Sequence, residues 1–153
     1  MSVPADASRF VADAQRISNA ANVEEALAIY APDAVLESVT DGTLLAHRGS
    51  SELRAGIEIM FSVARARSVH VQKELVAVAD DTIVNRWEGT VGRRQQTRGV
   101  EIWKFDENGM VCHQRLYTFL DVRPESDWVQ RLRLLVLYPR TALAFVRAQL
   151  RVG

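Results

Sequence analysis

Residues 68–121 read SVHVQKELVAVADDTIVNRWEGTVGRRQQTRGVEIWKFDENGMVCHQRLYTFLD, and the period of this stretch decides the fold. Apolar and polar residues alternate in four segments, at about 68–79, 82–91, 96–105 and 110–121, which is the pattern of strands with one covered face. Asp80-Asp81, Gly92-Arg93-Arg94-Gln95 and the Asn108-Gly109 pair separate them. Asn-Gly is a strong hairpin signal, so the four strands are expected to form one antiparallel meander. A sheet of this kind must cover a face, and the flanking sequence has to supply the cover.

Upstream, Phe10, Val11, Ala14 and Ile17 recur at helical spacing, and Asn22 is followed three positions later by Glu25, a capping pattern. The second helix, with Val23, Ala26, Leu27 and Tyr30 on one stripe, should stop at Pro32. Ala34 to Val39 reads as a short strand, and Asp41-Gly42 as a turn. A third helix is expected from near Ser51, with Leu53, Ile57, Met60, Phe61 and Ala64 on its inner face. Downstream, Trp128, Leu132, Leu135 and Val136 fall in helical register, and Pro139 can open a last helix striped by Ala142, Leu143, Val146 and Leu150. Helices before the meander form a second layer over it. Where a bent sheet outruns its helices a cavity is left, and Gly89, Gly92 and Gly99 sit in or beside strands where bends are easy.

The chain has 153 residues, 48% hydrophobic and 25% charged, which suits one folded domain and argues against extensive disorder. Lys+Arg and Asp+Glu are equal at 19 each, so no global field draws in nucleic acid or an anionic membrane. The cluster Arg93, Arg94 and Arg98 and the arginines of the C-terminal segment read as solvated surface. The N-terminus lacks a basic segment followed by an apolar one, and no apolar run approaches the ~20 residues that span a bilayer. A cytoplasmic protein with no nucleic-acid or membrane partner is expected. Cys112 is the single cysteine and reads as a buried, inert thiol. His47, His70 and His113 show no metal-ligand spacing, so no metal is expected. His47 is placed in a loop before the third helix.

The order helix, helix, Ile29-Tyr30-Ala31-Pro32-Asp33-Ala34-Val35-Leu36, then Arg48-Gly49 leading a helix, then a meander containing Trp103-Lys104-Phe105-Asp106-Glu107-Asn108-Gly109, resembles the nuclear transport factor 2-like superfamily, and within it the SnoaL-like, or polyketide-cyclase-like, branch. The resemblance covers residues 8–122. It implies an α+β cone, in which a curved antiparallel sheet packs against the N-terminal helices around a pocket. Residues 123–153 would add C-terminal helices, packed on the same domain or at a dimer interface.

Two enzyme branches bear on chemistry. Ketosteroid isomerase is similar around Val100-Glu101-Ile102-Trp103, and its acidic oxyanion-hole residue falls on Glu101. Its general base falls on Ser38 and its tyrosine donor on Ala14, so the resemblance brings no proton shuttle of that type. The Arg-x-Asp element of limonene-epoxide hydrolase resembles Arg86-Trp87-Glu88, but that enzyme's water-activating aspartate falls on Leu116, and its water-holding Tyr and Asn fall on Leu36 and Ser38.

Strand period puts Arg86 and Glu88 on one face of their strand, and Thr97, Gly99, Glu101 and Trp103 on one face of the next. The resemblance implies that both faces look into the pocket, beside Leu36, Ser38, Gln114, Leu116 and Thr118. One cation would then lie between two carboxylates, Glu88 and Glu101. Carboxylates sharing one arginine differ in their hold on a proton, which suits cofactor-independent acid–base chemistry of a hydrolase, isomerase, cyclase or dehydratase type on a small hydrophobic molecule. Two alternatives stay open. The charged trio can be a structural or solvated cluster, and the pocket can hold its ligand without chemistry. The apolar run Leu132 to Tyr138 either closes the pocket or packs against a second subunit, and a homodimer is the expectation.

Overall fold

The structure is a computed structural model, and it describes residues 3–92, 95–120, 122, 132 and 135–152. Two compact units divide the chain, Met1–Val122 and Arg123–Gly153. In the first, the order is α1 (Ala7–Ala20), α2 (Val23–Leu27), β1 (Tyr30–Thr40), β2 (Thr43–Arg48), α3 (Gly49–Ala66), β3 (Val69–Ala79), β4 (Thr82–Val91), β5 (Gln95–Phe105) and β6 (Val111–Phe119). The second contains α4 (Pro139–Val152), with proline in the first turn, where its missing N–H costs nothing. The helix expected around Trp128 falls largely outside the described residues, as do Arg93 and Arg94.

Six strands make one curved, open sheet in the order β2-β1-β6-β5-β4-β3. The meander β3 to β6 is antiparallel throughout, as the alternation predicts. Its last strand then pairs in parallel with β1, a contact between segments some 80 positions apart that local pattern does not announce. The first strand is also longer than Ala34–Val39, because its start at Tyr30 pairs with Val111. That pairing takes Tyr30 away from the second helix, which ends at Leu27 rather than near Pro32.

The Asp41-Gly42 turn leads into a strand the sequence reading lacks. Both residues have positive φ, 45° and 87°, and Thr40 pairs with Thr43, giving a two-residue hairpin. Its second arm, β2, lies at the sheet edge and is mostly exposed, so it has no buried alternation to reveal it. His47 is therefore a strand residue, not a loop residue, and its ring lies against Gly56 of α3, where an added Cβ would meet it at 2.6 Å. The third helix starts two residues earlier than Ser51, at Gly49.

Helix caps follow the sequence closely. Asn22 Oδ1 accepts from the Glu25 backbone N–H, the cap expected there, while the Glu25 carboxylate accepts from the Asn22 side-chain amide and the Asn22 N–H goes to Ile17 O. The side chain of Asp6 caps α1 through Arg9 N. α1 then lies along the free edge of β3. Asn19 bonds both the N–H and the C=O of Val71, and Gln15 accepts from Lys73 N. Side-chain amides thus satisfy the backbone groups that an edge strand leaves open.

Two apolar clusters hold the layers together. One joins Ile17, Ala26, Leu36, Leu53, Ile57 and Phe61 from α1, α2, β1 and α3. The other joins Val11, Ala14, Ile83, Trp103, Phe105 and Val111, with Phe10 edge-on to both Trp103 and Phe105 at 5.3 and 5.2 Å. Cys112 is half-buried rather than buried, its thiol facing Lys104 O at 3.5 Å.

Candidate functional site

Register across the sheet sorts the candidate residues into rows, because directly paired residues share a face. One inner row is Leu36, Gln114, Trp103 and Ile83; the next is Ser38, Leu116, Glu101, Asn85 and Leu75; the third is Thr40, Thr118, Gly99, Trp87 and Lys73. Glu101 and all six expected ligand-facing residues, Leu36, Ser38, Trp103, Gln114, Leu116 and Thr118, therefore lie on the helix-covered face. Leu36, Trp103, Gln114 and Leu116 are buried, while Ser38 and Thr118 are half-buried.

Arg86 and Glu88 do not join them. Arg86 pairs with Val100 and Glu74, and Glu88 with Arg98 and Gln72, all on the outer face. Arg86 binds Glu74 at 2.5 and 2.8 Å with its side chain 60% exposed. The proposed trio of Arg86, Glu88 and Glu101 is thus not assembled, since a residue's neighbours in a strand point the opposite way. The signal that separates them was present: Ile83 and Trp87 put the apolar phase of β4 on the odd positions, which sends Arg86 and Glu88 outward.

The residues that do meet Glu101 are Lys73 and Asn85. Lys73 Nζ donates to both carboxylate oxygens, at 2.8 Å to Oε1 and 2.7 Å to Oε2, and the two side chains are only 4% and 7% exposed. Asn85 Nδ2 donates to Oε2 at 2.9 Å, and Asn85 Oδ1 accepts from Trp103 Nε1 at 2.6 Å. The ammonium also lies 5.6 Å from the centre of the Trp103 ring, within cation–π range. Each of these polar residues interrupts the apolar phase of its strand: Lys73 follows Val69 and Val71, and Asn85 sits between Ile83 and Trp87. A charge in that phase must find a partner inside, and this is the mark by which Lys73 can be found from sequence.

Nearby, the Tyr30 hydroxyl donates to Gln114 Oε1. Burial, with the charge of Glu101 adding to it, pushes the Tyr30 phenol well above its ordinary pKa. Trp87 stands differently. Its ring lies against Gly99 of β5, where an added Cβ would fall 2.5 Å from Cε2. Its Nε1 is buried and has no hydrogen-bond partner among the described residues.

Two hollows of about 390 and 350 Å³ open over β3 to β5. Lys73, Trp87 and Gln15 line the first with Glu74, Arg86 and Glu88; His70, Thr90 and Arg98 are among those lining the second. Neither is lined by Glu101. Among the described residues, no group of three or more His, Cys, Asp and Glu side chains is arranged to hold a metal, and no helix is long and apolar enough to cross a membrane.

Comparison with known proteins places this geometry. The profile of the SnoaL-like domain matches residues 9–114, more than half of the chain. The chain belongs to the SnoaL-like domain family. A search of curated proteins finds no match. Among solved structures, this SnoaL-like chain is similar to a protein of unknown function with a cystatin-like fold from Methylobium petroleophilum PM1, at TM-score 0.61 and 18% identity over 84% of this chain and 85% of that one. It is also similar to a steroid delta-isomerase from Pseudomonas aeruginosa, at TM-score 0.57 and 18% identity over 99% and 98%. A computationally designed 17-OHP binder matches at TM-score 0.52 and 20% identity over 72% and 92%. At these identities the likeness is one of fold, and that fold serves isomerase and binder alike.

Proposed function

We propose that this SnoaL-like domain receives a small hydrophobic molecule against the inner face of its sheet, beside Leu36, Ser38, Leu116 and Thr118, and moves a proton on it through Glu101 without a cofactor. The observation carrying this reading is the buried carboxylate itself. An ionised carboxylate offers about four acceptor positions, and Lys73 and Asn85 occupy three around Glu101. The remaining position belongs to Oε1, which can take a proton from a C–H or O–H group of the ligand and return it. Isomerisation, cyclisation, dehydration and epoxide hydrolysis all use such a step. The step from buried Leu116 to half-buried Ser38 and Thr118 supports entry from that end.

A second reading, binding without chemistry, is favoured by the same ion pair, because Lys73 already neutralises the charge that would act as base. The two are separated with the variant Lys73→Met/Glu101→Gln, which removes the base and leaves no unpaired buried charge. A ligand co-purifying with both proteins is expected to emerge converted from the wild type after incubation, and unconverted from the variant. Recovery unconverted from both would leave binding as the function.

Association as a homodimer through the exposed side chains of Leu132, Leu135, Val136, Leu137 and Tyr138 belongs to the same proposal, as does a cytoplasmic location. A light-scattering mass of only 17 kDa at micromolar concentration would remove the dimer.

A further inference from the structure

The two ends of the sheet carry opposite charge. At one end the turn through Asp80 and Asp81 lies beside the turn through Asp106 and Glu107, with Phe105 N–H giving to Asp81 O. Lys104 pairs with Asp81 there at 3.2 Å. At the other end, Gly92 N–H gives to Arg67 O, Asp41 N–H to Thr118 O and Val122 N–H to Gln96 O. These bonds gather the end of α3, the tip of β4 and β5, the Asp41-Gly42 turn and the end of β6 into one rim.

Arg65, Arg67 and Arg98 stand exposed at or near this rim, and in sequence Arg93-Arg94 joins Gly92 to Gln95. Among the described residues neither Arg67 nor Arg98 has an ion-pair partner. The acidic groups are fewer: Asp41 accepts from Leu120 N, Glu88 lies across from Arg98, and Asp121 follows in sequence. Beside the arginines are apolar side chains that water solvates poorly. Val63, whose carbonyl accepts from Arg67 N, is 56% exposed; Phe119, paired in register with Arg98, is 53% exposed, and Leu120 is 40% exposed.

We infer that this rim docks on an anionic lipid surface, its arginines among the headgroups and Val63, Phe119 and Leu120 at the acyl boundary. A bilayer interface offers negative charge and an apolar layer together, and the acidic end of the sheet then faces away from it. A nucleic acid would answer the arginines and leave the apolar side chains in water. A second copy set rim to rim would bring arginine against arginine. Charge balance over the whole chain predicts no membrane partner, but its separation along the sheet reverses that expectation. The inference goes beyond the proposed function and stands whether or not Glu101 moves a proton. The two meet at one point: the inner face runs from buried Leu116 past Ser38 and Thr118 to this same rim, so a hydrophobic ligand could pass to it from the bilayer.

The test is co-sedimentation of the full chain with vesicles of phosphatidylcholine, alone or with about 30% phosphatidylserine, at about 50 and about 500 mM salt. Vesicles containing phosphatidylserine should be bound at low salt and released at high salt, and pure phosphatidylcholine should bind about tenfold more weakly or less. Arg67→Gln/Arg98→Gln should weaken binding about twentyfold, and Leu120→Ser about tenfold. Arg9→Gln/Lys104→Gln, which removes the same charge far from the rim, should bind like the wild type. Should the rim variants fail to fold, the wild-type comparison of vesicles and salt decides alone. Wild type that ignores anionic vesicles at low salt would overturn the inference, as would an equal loss in Arg9→Gln/Lys104→Gln. Self-association that Arg67→Gln/Arg98→Gln abolishes, without vesicle binding, would assign the rim to a second copy instead. Duplex DNA bound as tightly as vesicles, and equally by Leu120→Ser, would assign it to nucleic acid and overturn the lipid reading.

Discussion

Lys73 Nζ lies 2.8 and 2.7 Å from the two carboxylate oxygens of Glu101, a bidentate ion pair closed off from water on the inner face of the sheet. Such a pair is held because both charges are already desolvated and each is the other's compensation. Asn85 gives the carboxylate a third hydrogen bond and is itself held by Trp103. The network positions Glu101 Oε1 without help from any loop.

Removing one partner strands the other. Lys73→Met is expected to lower stability by about 3–5 kcal/mol, and Glu101→Gln alone should also be costly. The double variant Lys73→Met/Glu101→Gln should lose less than the sum, and less than Lys73→Met alone. Urea unfolding at pH 7 of all four proteins gives the coupling energy. Additive losses would mean that the pair is not formed.

Gly99 makes room for Trp87. Gly99→Ala would set a methyl 2.1 Å from Tyr117 O and 2.5 Å from the indole, and no side-chain rotation relieves the backbone contact. A loss of about 2–3 kcal/mol is expected, with altered tryptophan fluorescence and weaker ligand binding. An unchanged melting temperature would show that the Tyr117 carbonyl does not approach Gly99 so closely.

The Tyr30 phenol, raised by burial and by Glu101, gives a pH dependence of definite sign. Unfolded tyrosine ionises near pH 10. Below that value the phenol is neutral in both states and its stabilisation is complete; above it the unfolded chain releases a proton that the native chain retains, so stability falls as pH rises. The urea midpoint of the wild type should drop between pH 9 and 11, and Tyr30→Phe should show a shallower decline. Identical slopes would place Tyr30 in water.

Arg86 and Glu88 offer the contrasting expectation. Their outer-face position predicts that Arg86→Ala and Glu88→Ala leave the melting temperature and ligand affinity unchanged, since exposed ion pairs contribute little. A tenfold loss of affinity in either variant, by calorimetry, would put the ligand on the outer face and overturn the assignment of the site.

Much of the fold follows from short-range pattern. The meander, the Asn22–Glu25 cap, the Asp41-Gly42 turn and the proline-led last helix depend on neighbours within a few positions, and a period of two or 3.6 records them in the chain itself. Even the buried polar residues leave a trace, Lys73 and Asn85 each interrupting an apolar phase. Three things required the assembled sheet. The edge strand β2 buries almost nothing, so no alternation marks it. The parallel pairing of β1 with β6 joins distant segments, and no local signal carries a partner's identity. The third is the identity of the partners: alternation divides Ile83, Asn85 and Trp87 from Val84, Arg86 and Glu88, but the meeting of Glu101 with Asn85 and Lys73 is settled only when β3, β4 and β5 pair in register, because a shift of one residue turns every side chain over.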